Sequence, residues 1–266
     1  MKLALIQMRC EKGALAANLF AIATYYGAAV AEGAEIVAFP EMSYTGYVDP
    51  TRYPAAVLRL DGPEVARLVA LTRAQPATLI AGLVEANPGS EPAAGGEHAA
   101  LAKPFITQVV ARDGALLGFY RKLTIQAEEA AWFAPGAGVP VFRHGALTFG
   151  VAICADIGNP AVFAACAAGG ARLVFELAAP GLYGEQVTRN WRSGFGWWRG
   201  ECRTHLSQYA REHGLWIAVA TQAGRTIDED FPGGGYLFAP DGGCASETAD
   251  WSEGAAYVDV DVPIRS

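Results

Sequence analysis

The 266-residue sequence has little charge, few histidines and no long run of apolar residues. Charged residues make up 18% of the chain against 52% hydrophobic residues, which excludes an intrinsically disordered protein. The 20 Lys and Arg are outnumbered by 27 Asp and Glu, so the net charge is −7. This acidic balance argues against a nucleic-acid or anionic-membrane partner. No window supplies the ~20 apolar residues of a membrane span, so we expect a soluble protein.

Cysteine and histidine are too scattered to form a recognisable metal site. The five cysteines are odd in number, none forms a Cys-x-x-Cys pair, and the four histidines lie far apart in the sequence. We therefore expect no metal, no cofactor and no disulfide framework. Reduced thiols favour a cytoplasmic location. The first ten residues, MKLALIQMRC, lack a small-residue cleavage pattern and are interpreted as a strand rather than a secretory signal.

Short β-like runs alternate with helical stretches from the first residue onward. Residues 2–6 predict a strand, residues 14–32 a helix that Gly33 ends, and residues 35–39 a second strand stopped by Pro40. Strand, helix and strand within about forty residues is the βαβ pattern of a layered α/β domain. No linker-like composition and no internal repeat divides the chain, so we predict a single domain over residues 1–266.

Three later segments refine this prediction. Strands at 105–112 and 115–120 flank Asp113-Gly114, the strongest hairpin signal of the chain. The Gly/Pro-rich residues 87–96 predict a surface loop or inserted tip. Residues 181–200 include the four aromatic side chains of Trp191, Phe195, Trp197 and Trp198, too many for a solvated loop. We interpret them as the wall of a pocket, a lid or a subunit contact, with a helix starting near residue 198.

Three reactive residues each follow an apolar strand. Glu41 follows EIVAFP, Lys122 follows LLGFYR and Cys154 ends LTFGVAI. Strand ends are where α/β folds place ligands and catalysis. Each residue also has an ordinary explanation: a helix-terminal acid, a surface cation and a buried small side chain. Together they could perform covalent hydrolysis, because a carboxylate can deprotonate the thiol and an ammonium can stabilise the charge of a tetrahedral intermediate.

The residues around these positions resemble a known family. The segments FPEMSYTGY (39–47), YRKLTIQAEEAAWFAPG (120–136) and GVAICADIGNP (150–160) resemble, in the same order, the three signature blocks of the nitrilase superfamily of carbon–nitrogen hydrolases. The resemblance also covers the N-terminal strand and residues 234–242, and thus most of the chain. It implies a four-layer α-β-β-α sandwich that assembles into homodimers or larger homo-oligomers.

The resemblance also implies roles for individual residues. Glu41 would be the general base, Lys122 the group that stabilises the intermediate, and Cys154 the nucleophile. Glu129, seven residues after Lys122, corresponds to a second glutamate that supports substrate orientation in many members. The expected reaction is hydrolysis of an amide or carbamoyl C–N bond through a Cys thioester, releasing ammonia or an amine and a carboxylic acid.

Further candidates for substrate binding come from their position in the chain. The backbone N–H groups of Cys154 and Ala155 could contribute to an oxyanion site at the strand-to-turn junction. Asp156 could orient the loop of the nucleophile or simply form its turn. Glu176, near the end of another apolar strand, could reach the pocket or cap a helix.

Two departures from the family pattern leave alternatives open. Thr124 stands where many members have His, and Gly158-Asn159-Pro160-Ala161 replaces their Arg-Phe-Pro-Glu. The loop after the nucleophile often touches substrate in the family, so its usual amide specificities do not transfer. Nitrile hydrolysis by the same residues, or a catalytically silent binding protein on this fold, are the alternatives.

Overall fold

Residues 1–90, 102–182 and 185–261 are described by a computed structural model, in which strands and helices alternate along the chain. Residues 91–96 of the predicted surface loop lie outside these ranges. The helices are α1 (Leu15–Ala31), α2 (Pro63–Ala70), α3 (Pro160–Ala168) and α4 (Trp191–His213). The strands are β1 (Lys2–Gln7), β2 (Ile36–Ala38), β3 (Val57–Leu58), β4 (Thr78–Glu85), β5 (Phe105–Arg112), β6 (Ala115–Arg121), β7 (Phe142–His144), β8 (Leu147–Ile153), β9 (Leu173–Ala178), β10 (Trp216–Thr221), β11 (Ala223–Arg225), β12 (Asp230–Pro232), β13 (Gly235–Phe238), β14 (Cys244–Glu247) and β15 (Gly254–Asp259).

The strands form two large mixed sheets and one small hairpin. The first sheet has the order β15-β1-β2-β4-β5-β6, with β3 paired to β4 outside this path. The second sheet has the order β14-β13-β10-β9-β8-β7, and β11 pairs with β12. In each large sheet the central strands run parallel, as β1-β2-β4 and β8-β9-β10 do, and the outer strands are antiparallel.

The two sheets pack face to face between two layers of helices. Along β1, Leu3 and Leu5 belong to the apolar core shared with the second sheet, whereas Ala4 and Ile6 pack towards α1 and α2. Successive strand residues point to opposite faces, so a strand covered on both sides becomes a continuous apolar run. Helices α3 and α4 cover the outer face of the second sheet. The result is the predicted α-β-β-α sandwich.

The hairpin between β5 and β6 forms as predicted. Asp113 and Gly114 adopt φ values of 53° and 74°, the left-handed conformation that a two-residue turn of this kind requires. Glycine takes that conformation without a steric cost, and aspartate tolerates it better than most residues.

Helix α4 begins seven residues before the predicted start. The prediction placed its start near residue 198, and the low helix propensity of Gly194, Gly196 and Gly200 disguises the helix around that point. Asn190 caps the helix instead, its side chain accepting a hydrogen bond from the Ser193 N–H at 3.1 Å. Packing of Phe195 and Trp198 against the second sheet then outweighs the cost of the glycines. No helix within the described ranges is both long and apolar enough to cross a membrane.

Candidate active site

Glu41 lies in a tight turn that directly follows β2. Gly82 of β4 makes room for this turn, because an added Cβ would lie 2.3 Å from the backbone nitrogen of Met42. The turn is attached to β4 by the Gly82 N–H, which donates to Ser43 Oγ at 2.9 Å, and by the Tyr44 N–H, which donates to the Gly82 carbonyl at 2.8 Å. Glu41 is thereby fixed at full burial.

Lys122 follows β6 and joins two buried carboxylates. Its Nζ donates to Glu41 Oε1 at 2.8 Å and to both oxygens of Glu129 at 2.8 and 3.0 Å. The second oxygen of Glu41 accepts from the Ala179 N–H at 3.1 Å. All three charged side chains are almost completely buried, so each charge needs the others to compensate for its lost hydration. Removal of the ammonium would leave two buried carboxylates without a counter-charge.

Cys154 lies where β8 ends and a short 3-10 helix, Cys154–Gly158, begins. Its φ of +47° is unusual for a residue with a side chain and indicates backbone strain, which persists only where the surrounding structure enforces it. The thiol lies within hydrogen-bonding reach of Glu41, whose pKa is raised by burial and lowered in part by Lys122 and by this contact with Cys154. The structure therefore brings Glu41, Lys122 and Cys154 together, as the sequence predicts.

The charges of this cluster oppose one another in a way that suits proton transfer. Burial raises the pKa of the Cys154 thiol well above its ordinary value, and the Glu41 charge raises it further, against the attraction of Lys122. Burial likewise raises the pKa of Glu41, again opposed by Lys122. Burial alone would lower the pKa of Lys122, but Glu41 and the other negative charges outweigh it and raise that pKa. The cluster thus holds a neutral thiol beside a carboxylate of increased basicity and a permanent cation.

Asp156 braces the turn that carries Cys154. One carboxylate oxygen accepts from the Tyr120 hydroxyl at 2.7 Å and from the Ile153 N–H at 3.0 Å, and the other accepts from the Thr124 N–H at 2.8 Å. These bonds connect the end of β8 to β6 and to the segment after Lys122. Asp156 thus orients the nucleophile turn and forms part of it, which combines the two roles that the sequence left open.

Glu176 is fully buried in the middle of β9, between Ala152 of β8 and Val219 of β10. It shares a face of the strand with Val174, which lies on the side of α3. Neither carboxyl oxygen has a side-chain hydrogen-bond partner within the described chain. Burial raises the pKa of Glu176 well above 4.5, and the charges of Asp156 and Glu41 raise it further. The Cys154 backbone N–H is close enough to lower this pKa slightly. A carboxyl in this environment is neutral at pH values where an exposed glutamate is charged.

A cavity of about 140 Å³ opens above Cys154. Of the residues predicted to bind substrate, Glu129 and Ala155 line it, whereas Asp156 and Glu176 are not among its described lining residues. Tyr47, Gln126, Ile157, Ala179, Pro180, Gly181, Trp197, Trp198 and Glu201 complete the described lining. Within the described ranges no group of His, Cys, Asp and Glu is arranged to hold a metal ion.

Sequence reasoning did not single out Tyr47 and Gln126. The Tyr47 hydroxyl donates to Glu129 Oε1 at 2.7 Å, and the Gln126 N–H donates to Glu129 Oε2 at 3.0 Å. Both residues lie inside the signature segments quoted above, and that position was the sequence signal that could have identified them. Trp197 and Trp198 belong to the aromatic segment interpreted from the sequence as a pocket wall, a lid or a subunit contact, and both line the cavity. Glu201 was missed; its signal was its place four residues after Trp197, the spacing at which side chains on a helix are neighbours.

The chain matches the family model for carbon-nitrogen hydrolases over residues 2–265. The chain belongs to the carbon-nitrogen hydrolase family. The superfamily resemblance that the sequence carries is thereby confirmed.

Solved structures of a nitrilase-superfamily amidase from Nesterenkonia share the fold. One matches with a TM-score of 0.77 and 26% identity, covering 98% of this chain and 90% of that chain. Another, of a glutamate-to-glutamine mutant of that amidase, matches with a TM-score of 0.79, 25% identity and the same coverages, and shows covalent addition of the acetamide moiety of fluoroacetamide at the active-site cysteine.

Two curated relatives are glutamine-dependent NAD(+) synthetases. The Thermotoga maritima protein is 24% identical over 238 residues, which cover 86% of this chain and 37% of that protein. The Rhodobacter capsulatus protein is 27% identical over 266 residues, which cover 98% of this chain and 43% of that protein. The hydrolase chain thus spans about two fifths of the length of these relatives.

Proposed function

We propose that this enzyme hydrolyses small amides through a thioester on Cys154, with Glu41 as general base and Lys122 as the cation that stabilises the tetrahedral intermediate. The observation that carries the proposal is the contact of the Lys122 ammonium with Glu41 beside Cys154, beneath a cavity open to substrate. The thiol, the base and the cation of covalent C–N hydrolysis are then all within reach of one carbonyl carbon.

In the first half-reaction the Glu41 carboxylate takes the Cys154 proton as Sγ attacks the amide carbon. The carbonyl π electrons move onto oxygen, where the Lys122 ammonium and backbone N–H groups near Ala155 stabilise the negative charge. Collapse of the intermediate breaks the C–N bond. The leaving nitrogen receives the proton from Glu41 and departs as ammonia or an amine, which leaves an acyl thioester.

In the second half-reaction water attacks the thioester carbon while Glu41 takes one of its protons. The new tetrahedral intermediate is stabilised by the same groups and collapses with cleavage of the C–S bond. The proton held by Glu41 returns to the Cys154 sulfur, and the carboxylic acid leaves. The raised pKa of Glu41 suits this role, because a general base acts best when its pKa approaches the working pH.

Glu129 and Asp156 serve this chemistry from different positions. Glu129 lines the cavity and holds the Lys122 ammonium with both oxygens, so it fixes the position of the cation beside the substrate. Ala155 contributes its backbone to the wall beside the nucleophile. Asp156 has its oxygens occupied by protein donors, and we assign it and the buried Glu176 no contact with substrate.

The test combines an ammonia-release screen with mass spectrometry of the intact protein. Wild-type enzyme is expected to release ammonia from simple aliphatic amides, and Glu41→Gln to gain one acetamide group on Cys154 with fluoroacetamide, as the glutamate-to-glutamine mutant of the amidase does. Cys154→Ala should abolish ammonia release on its own and the labelling when combined with Glu41→Gln, whereas Cys244→Ser, on the half-buried thiol of β14, should preserve both. Turnover by Cys154→Ala would refute the assignment. Matched nitriles and glutamine belong in the screen, and ammonia release from nitriles alone would favour nitrile hydrolysis.

A further inference from the structure

Helix α4 places a carboxylate and two indole rings at the cavity. Trp197, Trp198 and Glu201 all line it. The Trp198 indole is buried and its N–H donates to Thr221 Oγ1 at 2.9 Å, so this ring forms a fixed wall. Trp197 is 39% exposed, and the Glu201 side chain is 43% exposed. The partial exposure of both places them where the cavity meets solvent.

The residues around the cavity carry more negative than positive charge. Beneath it, the single ammonium of Lys122 faces the carboxylates of Glu41 and Glu129. Glu201 adds another carboxylate at the cavity, and no Lys or Arg occurs among the described lining residues. Its described ionic neighbour is His205, with Nε2 3.6 Å from Glu201 Oε2. The net charge of −7 extends the negative field over the whole molecule.

The size of the cavity limits what can lie between Cys154 and Glu201. A cavity of about 140 Å³ is comparable to the roughly 150 Å³ of an engineered protein cavity that binds benzene. An acyl chain of about six non-hydrogen atoms would therefore fill it. The far end of such a chain would emerge at the partly exposed side chains of α4, where a positive charge finds a carboxylate and an aromatic ring.

We propose that the preferred substrate is a small primary amide with an ammonium group at the far end of its acyl chain, and that Glu201 binds this ammonium. Trp197 packs beside the charged end, while Trp198 and Ile157 contact the aliphatic stem. The inference rests on the proposed amide hydrolysis and adds a specificity-determining residue to it. It also explains why an acidic residue occupies a cavity that already contains the carboxylate of Glu129.

The test compares three amides of matched length: 5-aminopentanamide, the neutral pentanamide and the anionic glutaramate. Wild-type kcat/KM is expected to fall in that order. In Glu201→Gln the ratio of kcat/KM for 5-aminopentanamide over pentanamide should fall about tenfold, since one charge-assisted hydrogen bond is lost. Glu201→Lys should reverse the order and favour glutaramate. Glu212→Gln changes an exposed carboxylate on the same helix, hydrogen-bonded to Gln208, and should leave the ratio unchanged.

Because the ratio compares two substrates on one variant, a partial loss of folded enzyme does not alter it. Equal kcat/KM for 5-aminopentanamide and pentanamide in the wild type would overturn the ammonium site while leaving amide hydrolysis intact. An unchanged ratio in Glu201→Gln would overturn the assignment to Glu201. If neither amide is turned over by the wild type and fluoroacetamide leaves Cys154 of Glu41→Gln unlabelled, the proposed function fails, and this inference fails with it.

Discussion

Glu176 should make the enzyme lose stability as the pH rises. Its carboxyl is buried in β9 without a side-chain partner among the described residues, and burial raises its pKa well above 4.5. In the unfolded chain the same group titrates near its ordinary value. Between these two pKa values the folded state therefore binds one more proton than the unfolded state, and the free energy of unfolding falls with increasing pH.

The size of this effect follows from proton linkage. One extra bound proton makes the free energy of unfolding fall by about 1.4 kcal/mol per pH unit, as long as the pH lies between the two pKa values. For a domain of this size about 1 kcal/mol corresponds to roughly 2–4 °C in Tm. Glu176→Gln removes the titrating group while keeping nearly the same shape.

The assay is thermal unfolding of wild type and Glu176→Gln at a series of pH values from 5 upward. The Tm of Glu176→Gln minus the Tm of wild type is expected to increase by about 2–6 °C for each pH unit. A constant offset between the curves would reflect the unpaired amide, which does not titrate. A Tm difference that stays the same at every pH would refute the conclusion that Glu176 is protonated in the folded protein.

Two further substitutions test how the buried cluster is assembled. Lys122→Met should lower the free energy of unfolding by about 3–5 kcal/mol in urea denaturation, because Glu41 and Glu129 lose their shared cation; an unchanged midpoint would contradict this. Gly82→Ala should displace the Glu41 turn and reduce kcat for amide hydrolysis. Its control is Gly27→Ala in α1, where an added Cβ meets nothing within 4 Å and should stabilise the helix by about 0.5–1 kcal/mol. Equal kcat in the two alanine variants would refute the role of Gly82.

Local patterns were sufficient to predict most of the secondary structure. The hairpin at Asp113-Gly114 follows from two residues that tolerate positive φ, and the apolar run at residues 35–39 contains β2. The start of α4 was misplaced because three glycines obscure the helical periodicity, whereas the cap at Asn190 and the packing of Trp198 decide it. Such a decision depends on contacts with a distant sheet, which no local pattern contains.

The sequence by itself also predicted the residues that we propose to carry the chemistry. Glu41, Lys122 and Cys154 were identified from their places after apolar strands and from the signature segments around them. Only the tertiary structure placed Tyr47 on Glu129 and brought Glu201 to the cavity. The reason is physical: strand and helix propensity act over a few residues, whereas the distance between two side chains depends on how two sheets and their covering helices pack.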